Sequence, residues 1–506
     1  MQNLSNLSAV QLINQIKAKE VSCKEVVQHF IDKIEEVNPA LNAVVIKLYH
    51  SALAKAEEID LDLHNGNKVG KLAGLPFTIK ECLDLKGTPS TLGLLRRKDD
   101  FPSDNDPYIA ELLKEDGIIL GKTNVAQLLM YFESSNPVYG VTNNPHSALH
   151  SCGGSSGGEG AIIAAGGSPI GVGTDIGGSL RIPAAFCGIC SIKPTMGRTI
   201  DMTRFTDEVV DISIKSVTGA LGNYAEDLQL FLEIMNDAAA SKWKVEPLQD
   251  FKDVDISKLK IGYYLTDGIV EPMPAIKRAI LESVQKMKDL GAEVIEYTPP
   301  NLLEIEELFF RIVSADDGPL FAGNLQKDIP MPHVKGLLML ARASGFMRKL
   351  LGGLMGLLGQ KSVKRIIPYF GGKGPDYQNE LYTRQTGYIN KYLTALDNSS
   401  IGKLDAIISP VCAVPAFLHN TADKLGLGGT YTILNNVTGF PAGVATVSTI
   451  KPEEAVGRKK TIDLLIKTAS KVEASSAGLP IGIQIAARPW KEDIVLAIID
   501  KLHVRI

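Results

Sequence analysis

Between Leu259 and Tyr297 the chain alternates in a way that few architectures satisfy. "LKIGYYL" (Leu259–Leu265) reads as a strand. Ile276, Ile280, Val284 and Met287 then recur at helical spacing up to Gly291, and "AEVIEY" (Ala292–Tyr297) returns as a strand. Strand, helix, strand in that order points to α/β architecture with a mainly parallel or mixed sheet. "LAGLPFTIK" (Leu72–Lys80) and "DAIISPV" (Asp405–Val411) read as further buried strands. The first forty residues supply two amphipathic helices, Ser8–Glu20 and Cys23–Val37, the second ending before Pro39. Length alone suggests about three domains. No Ser- or Gly-rich linker separates folded halves, however, and one large domain is expected.

Composition excludes several classes. Hydrophobic residues at 45% and charged residues at 22% describe a globular chain with a large core, and a formal net charge of −4 argues against a general nucleic-acid binder. Six cysteines are too few and too scattered for a disulfide scaffold. The CxxC of Cys187 and Cys190 lacks the second pair a zinc site would need, so two buried thiols in a reducing compartment are expected. The first twenty residues lack a continuous apolar core of the signal-peptide kind. The longest uncharged run, Leu425–Ile450, carries Asn435, Asn436 and Pro441 and does not read as a membrane span. An intracellular protein is expected.

Two glycine-rich stretches interrupt this pattern. In "CGGSSGGEGAIIAAGG" (Cys152–Gly167) seven of sixteen residues are glycine, with Ser155 and Ser156 among them; "GTDIGGSLRIP" (Gly173–Pro183) follows. Gly153–Gly157 matches the short nucleophile-elbow pattern G-x-S-x-G, but the preceding "NNPHSALHSC" reads as a loop, and none of the eight histidines has a recognisable acid–base context. No GK[ST] follows the glycines, which argues against a phosphate loop. In the second stretch, Gly177 and Gly178 permit close approach to the main chain. The amides of Ile176, Gly177, Gly178 and Ser179 could then converge on one oxygen, as an oxyanion hole requires. Ser179 is a candidate nucleophile that still needs a base. A lysine serves if it is kept dry, because burial disfavours the ammonium. Lys80 ends an apolar run from Leu72 to Ile79. Composition carries that assignment no further.

"GLPFTIKE" (Gly74–Glu81), "GGSSGGEGA" (Gly153–Ala161) and "GVGTDIGGSLRIPAAFCGICSIKPT" (Gly171–Thr195), in that order, resemble the amidase signature family. The likeness extends to "GLPIGIQIAARPW" (Gly478–Trp490). It implies a large twisted mixed sheet covered by helices, and amide hydrolysis by a Ser–cis-Ser–Lys triad. Carried over by position, Lys80 is the base and Ser155 the bridging serine after a cis peptide bond. Ser179 is the acyl-forming nucleophile, the amides of Ile176–Ser179 are the oxyanion hole, and Ser156, Thr174, Asp175 and Arg181 support them. No metal or organic cofactor is implied, and homodimers occur among relatives.

Within that family, Glu159, "MYFESSNPVYGVTNNP" (Met130–Pro145) and "YTILNNVTGFPAGV" (Tyr431–Val444) resemble fatty acid amide hydrolases. Residues 331–375 hold eight basic and no acidic side chains. Inside that segment Met347, Leu350, Leu351, Leu354, Met355 and Leu358 form an apolar stripe at helical spacing. Such a helix can lie in a membrane interface, or its stripe can simply face the core. Its position matches the membrane-binding cap of fatty acid amide hydrolases, and contact with a membrane would be peripheral. Leu129 and Met130 align loosely with residues beside the acyl group in relatives, and Phe346 and Met347 fall where the channel mouth would be; core packing accounts for each equally well. The expected substrate is a small lipid amide, with a hydrolase for short or aromatic amides as the nearest alternative. An amidotransferase subunit and a catalytically silent membrane-binding homologue are more distant ones.

Overall fold

The computed structural model describes residues 4–199, 213–240, 244–315 and 325–506. Eleven strands make one mixed sheet: β1 (Val44–Lys47), β2 (Pro76–Lys80), β3 (Ile118–Thr123), β4 (Ile170–Asp175), β5 (Cys190–Lys193), β6 (Val217–Gly222), β7 (Lys260–Tyr263), β8 (Glu293–Glu296), β9 (Ala406–Pro410), β10 (Ala442–Thr449) and β11 (Pro480–Ala487). Their order across the sheet is β1-β3-β2-β4-β6-β5-β10-β11-β9-β7-β8. β2 runs parallel to both neighbours, β3 and β4. β4, β6, β5, β10, β11 and β9 then alternate antiparallel, and β9, β7 and β8 are parallel again. Every residue of β2, β3, β4, β5, β6, β9 and β11 is buried, as strands covered on both faces require.

Helices cover the sheet. At the N-terminal side, α1 (Ala9–Lys17) and α2 (Cys23–Leu41) each open on a serine capping box, Ser8 with Gln11 and Ser22 with Glu25. α3 (Gly157–Ala164) follows the first glycine-rich turn and α4 (Arg181–Cys187) the second. α5 (Pro274–Asp289) connects β7 to β8 in the expected strand–helix–strand unit; Ile276, Ile280, Val284 and Met287 are all buried, and Gly291 turns the chain at φ +94°. α6 (Leu302–Ser314), α7 (Pro332–Arg342), α8 (Gly345–Leu357), α9 (Lys361–Ile366) and α10 (Pro375–Asp397) complete the side that carries the basic segment.

Some boundaries differ from the sequence reading. α2 runs through Pro39 to Leu41. Pro39 falls in the last turn, so the one helical bond it cannot donate lies at the end of α2, and Asn42 then ends the helix in the left-handed region at φ +53°. Asn38 Oδ1 takes the N–H groups of Ala43 and Val44 that emerge beyond it, both at 2.8 Å. Only Pro76–Lys80 of the Leu72–Lys80 run pairs as strand, because Ala73 (φ +43°) and Gly74 (φ +81°) turn the chain first.

The apolar stripe of α8 does not face the core. Of the whole helix only Gly352 is buried; Met347, Leu350, Leu354 and Leu358 are exposed, with Phe346 at 77% and Leu357 at 88%. All six cysteines are buried and unpaired; the Cys187 thiol points at the Cys152 carbonyl and the Cys190 thiol at that of Gly222. Among the described residues no helix is long and apolar enough to cross a membrane.

Candidate active site

The parallel pairing of β2 with β4 (Thr78 opposite Gly171, Ile79 opposite Val172) carries both strands to one edge of the sheet, where Lys80 ends the first and Asp175 the second. The two glycine-rich turns fold over that edge. Lys80 is fully buried, and its Nζ donates to Thr174 Oγ1 at 2.7 Å and to Ser155 Oγ at 2.8 Å. Burial lowers the Lys80 pKa below the usual lysine range, against opposing pulls from Cys82, Asp175 and Glu159.

Ser155 follows Gly154 across a cis peptide bond. Gly154 lies against the backbone of Tyr131–Glu133 so closely that a Cβ would come within 2.7 Å of Tyr131 O, so no larger residue fits. Ser134 Oγ holds the turn from beneath, accepting from Gly157 N–H at 2.9 Å. Ser156 joins the two glycine-rich turns: its N–H donates to the Ser179 carbonyl at 3.2 Å and its Oγ to the Thr174 carbonyl at 3.3 Å.

Around Ser179 the backbone is fixed from below. Gly178 adopts φ +120°, and a Cβ there would meet Thr432 Oγ1 at 2.5 Å. That hydroxyl donates to the Gly177 carbonyl at 2.6 Å. The Gly178 N–H is not available in the way expected of all four amides, because it donates to Asp175 Oδ1 at 2.8 Å. Asp175 also accepts from Leu180 N–H at 3.1 Å, Asn436 Nδ2 at 2.9 Å, and Arg181 Nε and Nη2 at 3.0 and 2.9 Å. Burial alone would raise the Asp175 pKa; the Arg181 guanidinium and the Asn436 amide hold it well below the usual carboxylate range. Arg181, itself fully buried, reaches on to Thr432 O, Gln484 Oε1 and Asn436 Oδ1 at 2.6–2.8 Å.

Lys80, Ser155, Ser156, Thr174, Asp175, Ser179 and Arg181 thus meet in one place. Of the four residues expected along an acyl channel, Leu129 and Met130 lead into the Tyr131–Glu133 backbone that packs on Gly154, and Phe346 and Met347 lie on the cap. Leu129 and Met130 are half-buried in a segment where Leu128, Leu129 and Tyr131 all have positive φ. That segment packs on the start of α7 through Gln127, which bonds both Ile329 O and Met331 N–H. Phe346 and Met347 stand exposed at the start of α8.

Three contributors escaped the sequence reading. Thr432 and Asn436 lie in the long uncharged run, and Gln484 is a lone polar side chain inside an apolar strand. A polar residue enclosed by apolar neighbours is the usable signal, since it must find a buried partner. In the sequence Glu159 stands out only as a mark of resemblance. It is fully buried, accepting from Thr78 Oγ1 at 2.6 Å and Thr123 Oγ1 at 2.7 Å, and burial drives its carboxyl up to about 8. It ties α3 to the two strands that hold Lys80 opposite Thr123.

This is an α/β protein with a buried polar site at the carboxyl edge of a mixed sheet, and the sequence model of the Amidase family matches residues 25–496. The chain belongs to the amidase signature family, whose members hydrolyse amide bonds. It is 33% identical over 500 residues to the fatty-acid amide hydrolase 1 of Sus scrofa, covering 96% of this chain and 83% of that one. Over 530 residues it is 30% identical to the fatty acid amide hydrolase 1 of Caenorhabditis elegans (99% and 89% covered). A solved fatty acid amide hydrolase structure superposes with a TM-score of 0.82 at 25% identity, covering 99% of this chain and 86% of that chain.

Arg181→Met leaves the buried Asp175 carboxyl without its cation. The expected cost is about 3–5 kcal/mol, read as a lowered denaturation midpoint in urea. A variant as stable as the parent would mean that the pair holds nothing together.

Proposed function

We propose that the chain hydrolyses long-chain fatty acid amides, N-acylethanolamines among them, through an acyl-enzyme on Ser179. Lys80 in its neutral form is the base. It draws the Ser155 proton along the 2.8 Å contact while Ser155 takes the proton of Ser179, whose Oγ attacks the amide carbonyl. The oxyanion that forms faces backbone N–H groups of the Ile176–Ser179 turn, with Ile176, Gly177 and Ser179 as donors and Gly178 holding Asp175 instead. Collapse breaks the carbon–nitrogen bond as the proton returns through Ser155 to the leaving amine. Water, deprotonated by the same relay, then releases the fatty acid and restores Ser179.

The observation that carries the substrate class is the outward-facing apolar stripe of α8. Aliphatic side chains exposed beside Lys349, Lys361 and Lys364 suit a cap (residues 331–375) that rests on a membrane and takes substrate from it. The likeness to fatty acid amide hydrolases over nearly the whole chain supports the same reading.

Reaction with a fluorophosphonate should label the protein, and Ser179→Ala should abolish the label. Lys80→Ala and Ser155→Ala should each lower kcat by on the order of 10²–10⁴-fold. Labelling that survives Ser179→Ala would place the nucleophile elsewhere.

For primary amides from acetamide to octadecanamide, kcat/KM should climb about fourfold per methylene, since each buried CH₂ contributes about 0.8 kcal/mol. A flat profile would leave amide hydrolysis standing and remove the lipid substrate.

Lys80 works only when neutral, so kcat/KM should fall as pH drops through its lowered pKa. The Glu159 carboxyl, driven up to about 8, is largely neutral below that pH, so Glu159→Gln should leave the acidic limb where it is. A limb carried to lower pH would show that an ionised Glu159 acts on Lys80 across the site.

A further inference from the structure

The exposed apolar surface does not stop at α8. Beyond β10, the segment "VGRKKTIDL" (Val456–Leu464) returns to the end of the cap. Val456 is 63% exposed and Ile462 73%; Leu464, Lys459 and Lys460 are exposed with them. The segment is fastened where α8 gives way to α9. Gln360 Nε2 donates to Ile462 O at 2.8 Å, and Gln360 Oε1 accepts from Leu464 N–H at 2.8 Å. Ser362 donates through its N–H and its hydroxyl to Asp463 Oδ2 at 3.1 and 3.2 Å. Gly359 is left-handed at φ +73°, and Ile462 lies over its bare α-carbon so closely that a side chain at 359 has no room. Ile462 therefore continues the apolar surface begun by Leu357 and Leu358, although it lies about a hundred residues away in sequence.

Most acids around it are engaged, while its lysines are exposed. Asp463 is buried, engaged by Ser362 and by the N–H groups of Leu465 and Ile466. Glu454 is paired with Arg278 at 2.6 Å, and Arg458 with Glu473 at 2.6 Å. Glu453 is the exposed acid of the preceding turn. Lys459 and Lys460 point the same way in charge as Lys349, Lys361 and Lys364 of the cap, while Arg365 is paired with Glu306 at 3.0 Å. Aliphatic side chains rimmed by lysines match the boundary of an anionic bilayer, where lysine stems reach the phosphates and aliphatic groups enter the acyl region.

We propose that residues 456–464 are a second membrane-contact element, seated beside the cap, which places Val456 and Ile462 in the interface of an anionic bilayer and Lys459 and Lys460 against its headgroups. The proposal rests on the reading of α8 as a membrane-facing cap and extends it to a segment with no amphipathic helix of its own.

All six native cysteines are buried, so Ile462→Cys gives a single accessible thiol for acrylodan. On phosphatidylserine-containing phosphatidylcholine vesicles the emission of the label should shift to the blue, and it should stay water-like on phosphatidylcholine alone at high salt. In cosedimentation, the doubly substituted Lys459→Glu/Lys460→Glu protein should bind the anionic vesicles at least about tenfold more weakly. Its hydrolysis of a short, water-soluble amide should be unchanged, which verifies its fold. Leu357→Ser with Leu358→Ser serves as the comparison for the cap. If that pair detaches the protein while the 462 label stays water-like and the lysine variant binds as the parent does, the second element is wrong and the cap stands. If the parent protein binds no vesicles at all, both fall together. A blue shift that grows with protein concentration without vesicles would make the occupant a second copy of the chain and overturn the proposal.

Discussion

Lys80 is the point on which the rest of the site turns. An ammonium with no exposure to water is costly unless acceptors surround it. Here the acceptors are two hydroxyls, from Ser155 and Thr174, rather than a carboxylate in direct contact. That choice keeps the neutral amine within reach, which a salt bridge would not. It also dictates the surroundings: the lysine must arrive on a strand buried on both faces, and the hydroxyls must be brought to it. The parallel β2–β4 pair does the first and brings Thr174 with it, and the turn at Gly154–Ser156 brings Ser155.

The charge such a site needs for rigidity is kept one layer away. Asp175 and Arg181 are paired at 2.9 Å beneath the Ser179 turn, and each is saturated by other donors or acceptors. A buried ion pair of this kind is weak evidence for stability and better evidence for a fixed geometry. It draws the Gly178 and Leu180 amides downward and so sets the pitch of the backbone that carries the nucleophile candidate.

Local patterns made much of this legible. The strand–helix–strand unit at 259–297 follows from periodicity alone, and the glycine-rich turns declared a place where backbone approaches backbone closely. What stayed hidden was long-range pairing. Nothing near Gln484 tells of an arginine at 181, and nothing in the leucine spacing of α8 decides whether its stripe meets core or solvent. Such a stripe is the same in sequence either way; only the fold decides, and here α8 packs on α9 and the turn after it and leaves the stripe uncovered. Pro39 misled for the opposite reason, since it costs α2 a single bond and the helix stops at Leu41, so there is little helix beyond it to break.

The bond from Arg181 to Gln484 spans 303 residues. During synthesis, Lys80, Ser155 and Ser179 all emerge long before the strand that carries Gln484. A growing chain can pair β2 with β4 early, but the guanidinium that steadies the Ser179 turn gains its last anchor only when β11 slots between β9 and β10. Completion of the site is thereby tied to completion of the sheet. A partly made chain holds the right residues without the frame that orients them, which delays any chemistry until nearly the whole polypeptide has left the ribosome.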